Sequence, residues 1–167
     1  NVQDSNAWAS YPASNSTDGI LDPGQAWNAL TIGAFTELSD VTDEDCEYYH
    51  AIAPNGGLSP FSTTSATWAR AWPLKPDVVF EGGNAANDQY SACSLPCLSL
   101  VAPNHRYALG RLLTFSNATS AATALAARMA AQLMAAYPEF WPETIRALIV
   151  HSASWTDAMK RQFSPPT

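Results

Sequence analysis

Between Ala118 and Ala136, ten of nineteen residues are alanine, and neither Gly nor Pro interrupts the run. Alanine has the highest helix propensity, and its small side chain lets a helix pack closely against a neighbour. The run therefore predicts one long helix. Leu125, Met129 and Leu133 recur at helical spacing and mark one of its faces. Tyr137-Pro138 ends it, because the residue before a proline is steered away from helical geometry. The same region is the longest apolar stretch of the chain, yet it contains Arg128 and Gln132. It falls short of the roughly 20 apolar residues that a membrane span needs, so it reads as a buried helix and no membrane partner is expected.

A second helix is predicted from Pro142-Glu143, with Pro in its first turn and an acid beside it. It carries Ile145, Leu148 and Ile149 inward and runs toward His151. Asn28 to Thr36 reads as a buried strand, and Lys75 to Phe80 as a second, closed by Glu81-Gly82-Gly83-Asn84. The first 27 residues are rich in Ser, Asn, Asp, Gly and Pro and read as loops and turns. Residues 85 to 113 read as a long irregular insertion. No internal repeat divides the 167 residues, which suffice for one domain with one core.

The net charge of -7, with eight scattered Lys and Arg, argues against a nucleic-acid partner, which calls for a basic stripe. The acids gather at Asp40, Asp43, Glu44, Asp45 and Glu47. These are hard oxygen donors of the kind calcium takes, but their spacing matches no standard calcium loop. A solvated acidic loop is the reading, and no cofactor is expected. Cys46, Cys93 and Cys97 are odd in number and make no disulfide framework. The Cys93–Cys97 spacing allows one local disulfide or part of a metal site, and zinc would need two further ligands.

Ser120 stands at the start of the Ala-rich helix. There the first backbone N–H groups lack intrahelical partners and the helix dipole favours negative charge. A serine so placed can attack a carbonyl while nearby N–H groups hold the developing oxyanion. Equally, Ser is a favoured helix N-cap. Local sequence leaves both readings open.

The surrounding segments add a resemblance. Asn117-Ala118-Thr119-Ser120-Ala121-Ala122-Thr123-Ala124 resembles the nucleophile motif of the subtilisin-like serine proteases, the subtilases. That motif usually reads Gly-Thr-Ser-Met-Ala followed by a Pro. Ala118, Ala121 and Ala124 replace the usual Gly, Met and Pro. Lys75-Pro76-Asp77-Val78-Val79 with Gly82-Gly83 resembles the family's Lys-Pro-Asp strand and its glycine loop. Ser59-Pro60-Phe61-Ser62 and Ala29-Leu30-Thr31-Ile32-Gly33-Ala34 resemble two more family segments. Ile145, Arg146, Leu148, Ile149, Ser152 and Ala153 fit the family's late helix. The segments come in family order over most of the chain.

The resemblance implies an α/β fold, subtilisin-like, with a mainly parallel sheet flanked by helices. It implies that residues 1–167 are the C-terminal part of a catalytic domain, with the insertion at about 85–113. It makes Ser120 the nucleophile, Asn1 the side-chain donor of the oxyanion hole, and Tyr11, Pro12, Ala13 and Ser14 part of a peptide-binding pocket wall. The family's triad Asp and His would precede Asn1. His50, His105 and His151 lack the family's His-Gly context and read as structural or surface residues. The implied activity is hydrolysis of peptide or protein substrates, with residues 1–167 alone inactive. An alternative is a catalytically degenerate domain that serves as a binding or interaction module. An α/β-hydrolase is disfavoured because Ser120 lacks the Gly-x-Ser-x-Gly elbow. An incomplete parallel sheet is also expected to expose an edge or apolar face that self-associates.

Overall fold

The computed structural model describes residues 6–163 and centres on two short strands held in parallel. In chain order its elements are α1 (Ala13–Thr17), β1 (Ile32–Thr36), β2 (His50–Ala51), β3 (Gly57–Leu58), β4 (Val78–Glu81), β5 (Ala86–Asn87), β6 (Ala92–Cys93), β7 (Leu100–Pro103), β8 (Leu113–Ser116), α2 (Ala118–Ala136), α3 (Pro142–Ser152) and α4 (Asp157–Phe163). Short 3-10 turns lie at Asn6–Ser10, Glu44–Cys46, Pro96–Leu98 and Tyr107–Leu109. The central sheet runs β3-β1-β4, a second runs β2-β5-β6, and β7 with β8 forms a hairpin.

In the parallel pair Ile32 stands opposite Val78 and Ala34 opposite Phe80. Side chains alternate across a strand, so these four share one face. Val78 forms a core there with Ile145 and Ile149 of α3, packed around by Ile32, Phe80, and Ala130 and Leu133 of α2. The Ala-rich helix lies on β1 and β4. Its fully buried residues are Ala121, Ala122 and Ala126, so alanine itself forms the contact face. Of the expected large-residue face, Leu125 and Leu133 are half-buried and Met129 is 36% exposed. On α3, Leu148 is 39% exposed where it was expected to point inward; Ile145 and Ile149 alone fill the groove over the strands.

The sheet is a correction to the expectation of mainly parallel pairing. Among the described residues, β1–β4 is parallel, whereas β1–β3, β2–β5, β5–β6 and β7–β8 are antiparallel. The reason is local connectivity. Parallel partners need a long crossover, whereas β5–β6 and β7–β8 are joined by local connections, residues 88–91 and 104–112, that allow antiparallel return. Residues 85 to 113 are accordingly not irregular, since β5, β6, β7 and the start of β8 lie within them. The predicted strand at 28–36 begins only at Ile32, because the residues before it are used otherwise. Ala29 O accepts from Lys75 Nζ (2.9 Å), and Thr31 N–H donates to the Asp77 carboxylate (2.7 Å). The predicted strand at 75–80 starts at Val78 for the same reason. The first 27 residues hold a 3-10 turn and α1 as well as loops.

Lys75 and Asp77 are the main electrostatic anchor beneath this sheet. Lys75 Nζ lies 2.7 Å from Asp77 Oδ2, and the Lys75 side chain is fully buried. Arg146 of α3 donates to the carbonyls of Asn28 (2.9 Å) and Trp27 (3.3 Å), and stands 3.9 Å from Asp77 Oδ1. A buried ammonium is tolerated only with a partner anion and satisfied hydrogen bonds. We expect Asp77→Ala to destabilise the fold by about 3–5 kcal/mol, because Lys75 is then left buried without its anion. A double variant with Lys75→Met as well should recover a large part of the loss in urea titrations. Equal losses in the single and double variants would remove the pair as the cause.

Candidate functional site

The end of β4 and the start of α2 meet at one backbone junction. Gly82 N–H donates to Phe35 O on β1 (3.0 Å), and Gly82 O accepts from Ala118 N–H (2.7 Å). The approach leaves no room for a side chain at 82, where a Cβ would sit 2.4 Å from the Ala34 Cβ. Gly83 has a positive φ of 78°, and a Cβ there would lie 2.8 Å from Leu98 O. Glu81 braces the turn, accepting from Gly83 N–H (2.7 Å) and Glu37 N–H (2.6 Å).

The chain then enters α2 through Asn117, whose extended backbone (φ -145°) makes it the N-cap residue. This corrects the reading of Ser120 as a cap, since Ser120 is the third residue of the helix. Asn117 does not cap with its side chain; its Nδ2 donates to Ser94 Oγ (3.0 Å). Ser120 is exposed, and among the described residues its hydroxyl has no hydrogen-bond partner. The Ala118 N–H is taken by Gly82 O. Among the described residues no acceptor outside the helix takes the N–H groups of Thr119 and Ser120. The first turn of α2 thus offers a free hydroxyl beside free backbone donors at the positive end of a nineteen-residue helix.

Ala118 has a φ of +66°, a left-handed conformation that glycine adopts without cost. This is the position at which the motif usually carries glycine. An L-residue there costs about 1–2 kcal/mol.

The segment expected to form the pocket wall is tied through Tyr11 to β3 and α4. Tyr11 is half-buried, Pro12 and Ala13 are exposed and Ser14 is half-buried. The Tyr11 hydroxyl donates to Leu58 O (2.7 Å) and accepts from Gln162 Nε2 (2.6 Å), while Leu58 N–H donates to Gln162 Oε1 (3.2 Å). Burial raises the Tyr11 phenol above its ordinary pKa, with the Gln162 hydrogen bond acting in the opposite direction. No hydrogen bond joins this segment to Ser120. Asn1, the expected oxyanion donor, lies outside the described residues. The three histidines stand apart on β2 (His50), in the β7–β8 connection (His105) and in the last turn of α3 (His151). All are exposed, and none hydrogen-bonds Ser120.

Sequence reasoning missed how Asn84 and Ser94 support the junction. Asn84 is fully buried, and its side chain is satisfied four times over. Its Oδ1 accepts from Ala53 N–H and Ala85 N–H, and its Nδ2 donates to Leu38 O and Ala53 O. The Gly82-Gly83-Asn84 run was the available signal, but an Asn after glycines reads as an exposed turn. Nothing near Ser94 in sequence points to Asn117, 23 residues on. Among the described residues no group of three His, Cys, Asp or Glu side chains is placed to hold a metal ion, and no helix is long and apolar enough to cross a membrane.

Replacing Ala118 with Gly should stabilise the fold. It relieves the left-handed strain, while the added freedom of the unfolded chain takes back roughly 0.4–1 kcal/mol. The expected net gain is up to about 1 kcal/mol, read as a Tm rise of about 2–4 °C. Gly82→Ala, in contrast, should lower Tm through its clash with Ala34. A stabilising Gly82→Ala or a destabilising Ala118→Gly would contradict this geometry.

Comparison with known proteins places this junction in context. A family model described as Subtilase family, Peptidase_S8, matches residues 1–164. The "Uncharacterized protein y4bN" of Sinorhizobium fredii (strain NBRC 101917 / NGR234) is 29% identical over 142 residues. That alignment covers 80% of this chain and 32% of that protein, so the chain spans about a third of its relative's length. No solved structure matches the chain.

Proposed function

The chain belongs to the subtilase family, and from that premise we propose that it supplies the nucleophile of a serine endopeptidase, with Ser120 in that role. The observation that carries the proposal is the placement of Ser120. Among the described residues its hydroxyl is exposed and unbonded in the first turn of α2, beside backbone N–H groups that no outside acceptor takes. The Ser120 hydroxyl attacks the scissile carbonyl and gives its proton to a base. The carbonyl oxygen becomes an oxyanion facing the Ser120 N–H, which points out of the helix end and needs no rearrangement to receive it. Collapse expels the amine, and water then hydrolyses the acyl-enzyme.

The base and the acid that orients it are assigned to residues beyond these 167. In support, His50, His105 and His151 stand on separate elements, and none bonds Ser120. A triad works only with base and nucleophile within hydrogen-bond reach. Residues 1–167 alone are therefore assigned no peptidase activity. Asn1 is assigned as a second oxyanion donor, whose loss would lower the rate roughly 100- to 1000-fold.

A second reading, a degenerate domain that binds without cleaving, draws its support from the strained Ala118 at the motif's usual glycine. One experiment separates the two. We expect the full-length protein to be labelled at Ser120 by a fluorophosphonate probe, and Ser120→Ala to abolish labelling without altering the far-UV circular dichroism. A folded full-length protein that is never labelled would favour the binding module. Residues 1–167 expressed alone are expected to give no turnover of casein; turnover lost on Ser120→Ala would overturn the assignment of the base to other residues.

A further inference from the structure

Among the described residues the β7–β8 hairpin is the strand pair that meets no third strand, and it ends four residues before Ser120. Its register fixes which backbone groups are free. Asn104 N–H donates to Leu112 O (2.9 Å), and the pairs Pro103–Leu113, Ala102–Thr114, Val101–Phe115 and Leu100–Ser116 follow. Bonded and non-bonded pairs alternate in an antiparallel ladder, so Leu113 and Phe115 turn their N–H and C=O away from β7. Among the described residues nothing bonds these outward groups. On the opposite edge Pro103 has no N–H to offer. β8 is therefore the open edge, of the kind that an extended chain can join by backbone hydrogen bonds.

Side chains give this edge a chemical character. Opposed residues share a face, so Val101, Pro103, Leu113 and Phe115 form one apolar strip. All four are exposed, Val101 and Leu113 at 62% and Phe115 at 57%. Arg106 and Arg111 stand exposed in the loop that joins the two strands, and neither has a carboxylate partner among the described residues. Their charge is uncompensated along the chain as well. Residues 89–138 hold three Arg and no acid, although the chain has 15 Asp and Glu. A chain of net charge -7 thus keeps the segment that bears Ser120 positive.

We infer that β8 is a docking edge for an extended polypeptide segment in which acidic residues accompany apolar ones. The segment adds as a strand along Leu113 and Phe115. Its apolar side chains lie on the strip, and its carboxylates meet Arg106 and Arg111. β8 runs from the arginine loop toward the start of α2, so a segment held there is led to Ser120 with its acids set back from the scissile bond. The inference rests on the peptidase reading for the fate of the segment, and not for its binding.

The test uses the full-length protein carrying Ser120→Ala, so that a bound peptide stays intact. The probe is a fluorescent peptide of alternating Val and Glu, read by anisotropy beside the same peptide with Gln or Lys in place of Glu. The acidic peptide is expected to bind most tightly and to weaken as salt rises. Arg106→Gln together with Arg111→Gln should weaken it about 5- to 10-fold and flatten the salt dependence. N-methylation of every second peptide residue should abolish binding in one of the two offset sets and spare it in the other, since a strand bonds its neighbour through alternate residues. That arm leaves the protein unaltered and decides even if the arginine variant fails to fold. Equal binding of the three peptides, no response to the arginine changes, or indifference to both methylated sets would overturn the inference. So would binding of phosphatidylserine vesicles in place of peptide, or a dimer whose β8 amides resist hydrogen exchange without peptide, which would assign the edge to a second copy. Fluorophosphonate labelling of the wild type judges Ser120 separately. Labelled protein that ignores the peptide overturns the docking edge alone, and unlabelled protein that binds it keeps the edge as the site of a non-cleaving module.

Discussion

The hydrogen bond from Ala118 N–H to Gly82 O, 2.7 Å long, is the contact on which the site's geometry depends. One side of it is the end of a parallel strand, and the other is the first residue of the long helix. Gly82 also donates its N–H to Phe35 O of β1, so a single residue registers strand, strand and helix together. That close approach is open only to glycine at 82. Everything that matters for Ser120 then follows from helical geometry, since two residues beyond Ala118 the side chain stands free at the helix's positive end.

Packing around this junction uses small residues where a larger core would be expected. Ala34, Ala121, Ala122 and Ala126 are buried, and they let α2 lie close on β1 and β4. Bulk is supplied instead from α3, where Ile145 and Ile149 meet Val78. The electrostatic anchor lies at the opposite end of β4, where Asp77 serves Lys75, Thr31 and, at longer range, Arg146. Ser120, the proposed nucleophile, is therefore positioned from one end of a four-residue strand while the other end is locked by charge.

Both long helices were legible in sequence with their bounds, because alanine content, Tyr137-Pro138 and Pro142-Glu143 are local signals. The place of Ser120 was legible through the order of the segments around it. The side-chain direction of Leu148 was not, because it depends on which neighbours α3 meets. The two-residue strands β2, β3, β5 and β6 were hidden for a similar reason, since they exist only through partners distant in sequence. The left-handed Ala118 was also hidden, as an alanine in an alanine-rich run advertises helix. The role of Tyr11 went unread because its partners, Leu58 and Gln162, lie 47 and 151 residues away. The helix α4 carries Lys160, Arg161 and Gln162, a polar run with little apolar period to reveal it.

That Tyr11–Leu58–Gln162 ring has a topological meaning. Three points far apart along the chain are cinched at one two-residue strand, so the first and last described segments behave as a single hoop around the sheet. Loss of the Gln162 side chain in α4 would leave the Tyr11 hydroxyl without the hydrogen bond it accepts. The ring also holds Tyr11 and Gln162, 151 residues apart in sequence, within one hydrogen bond of each other.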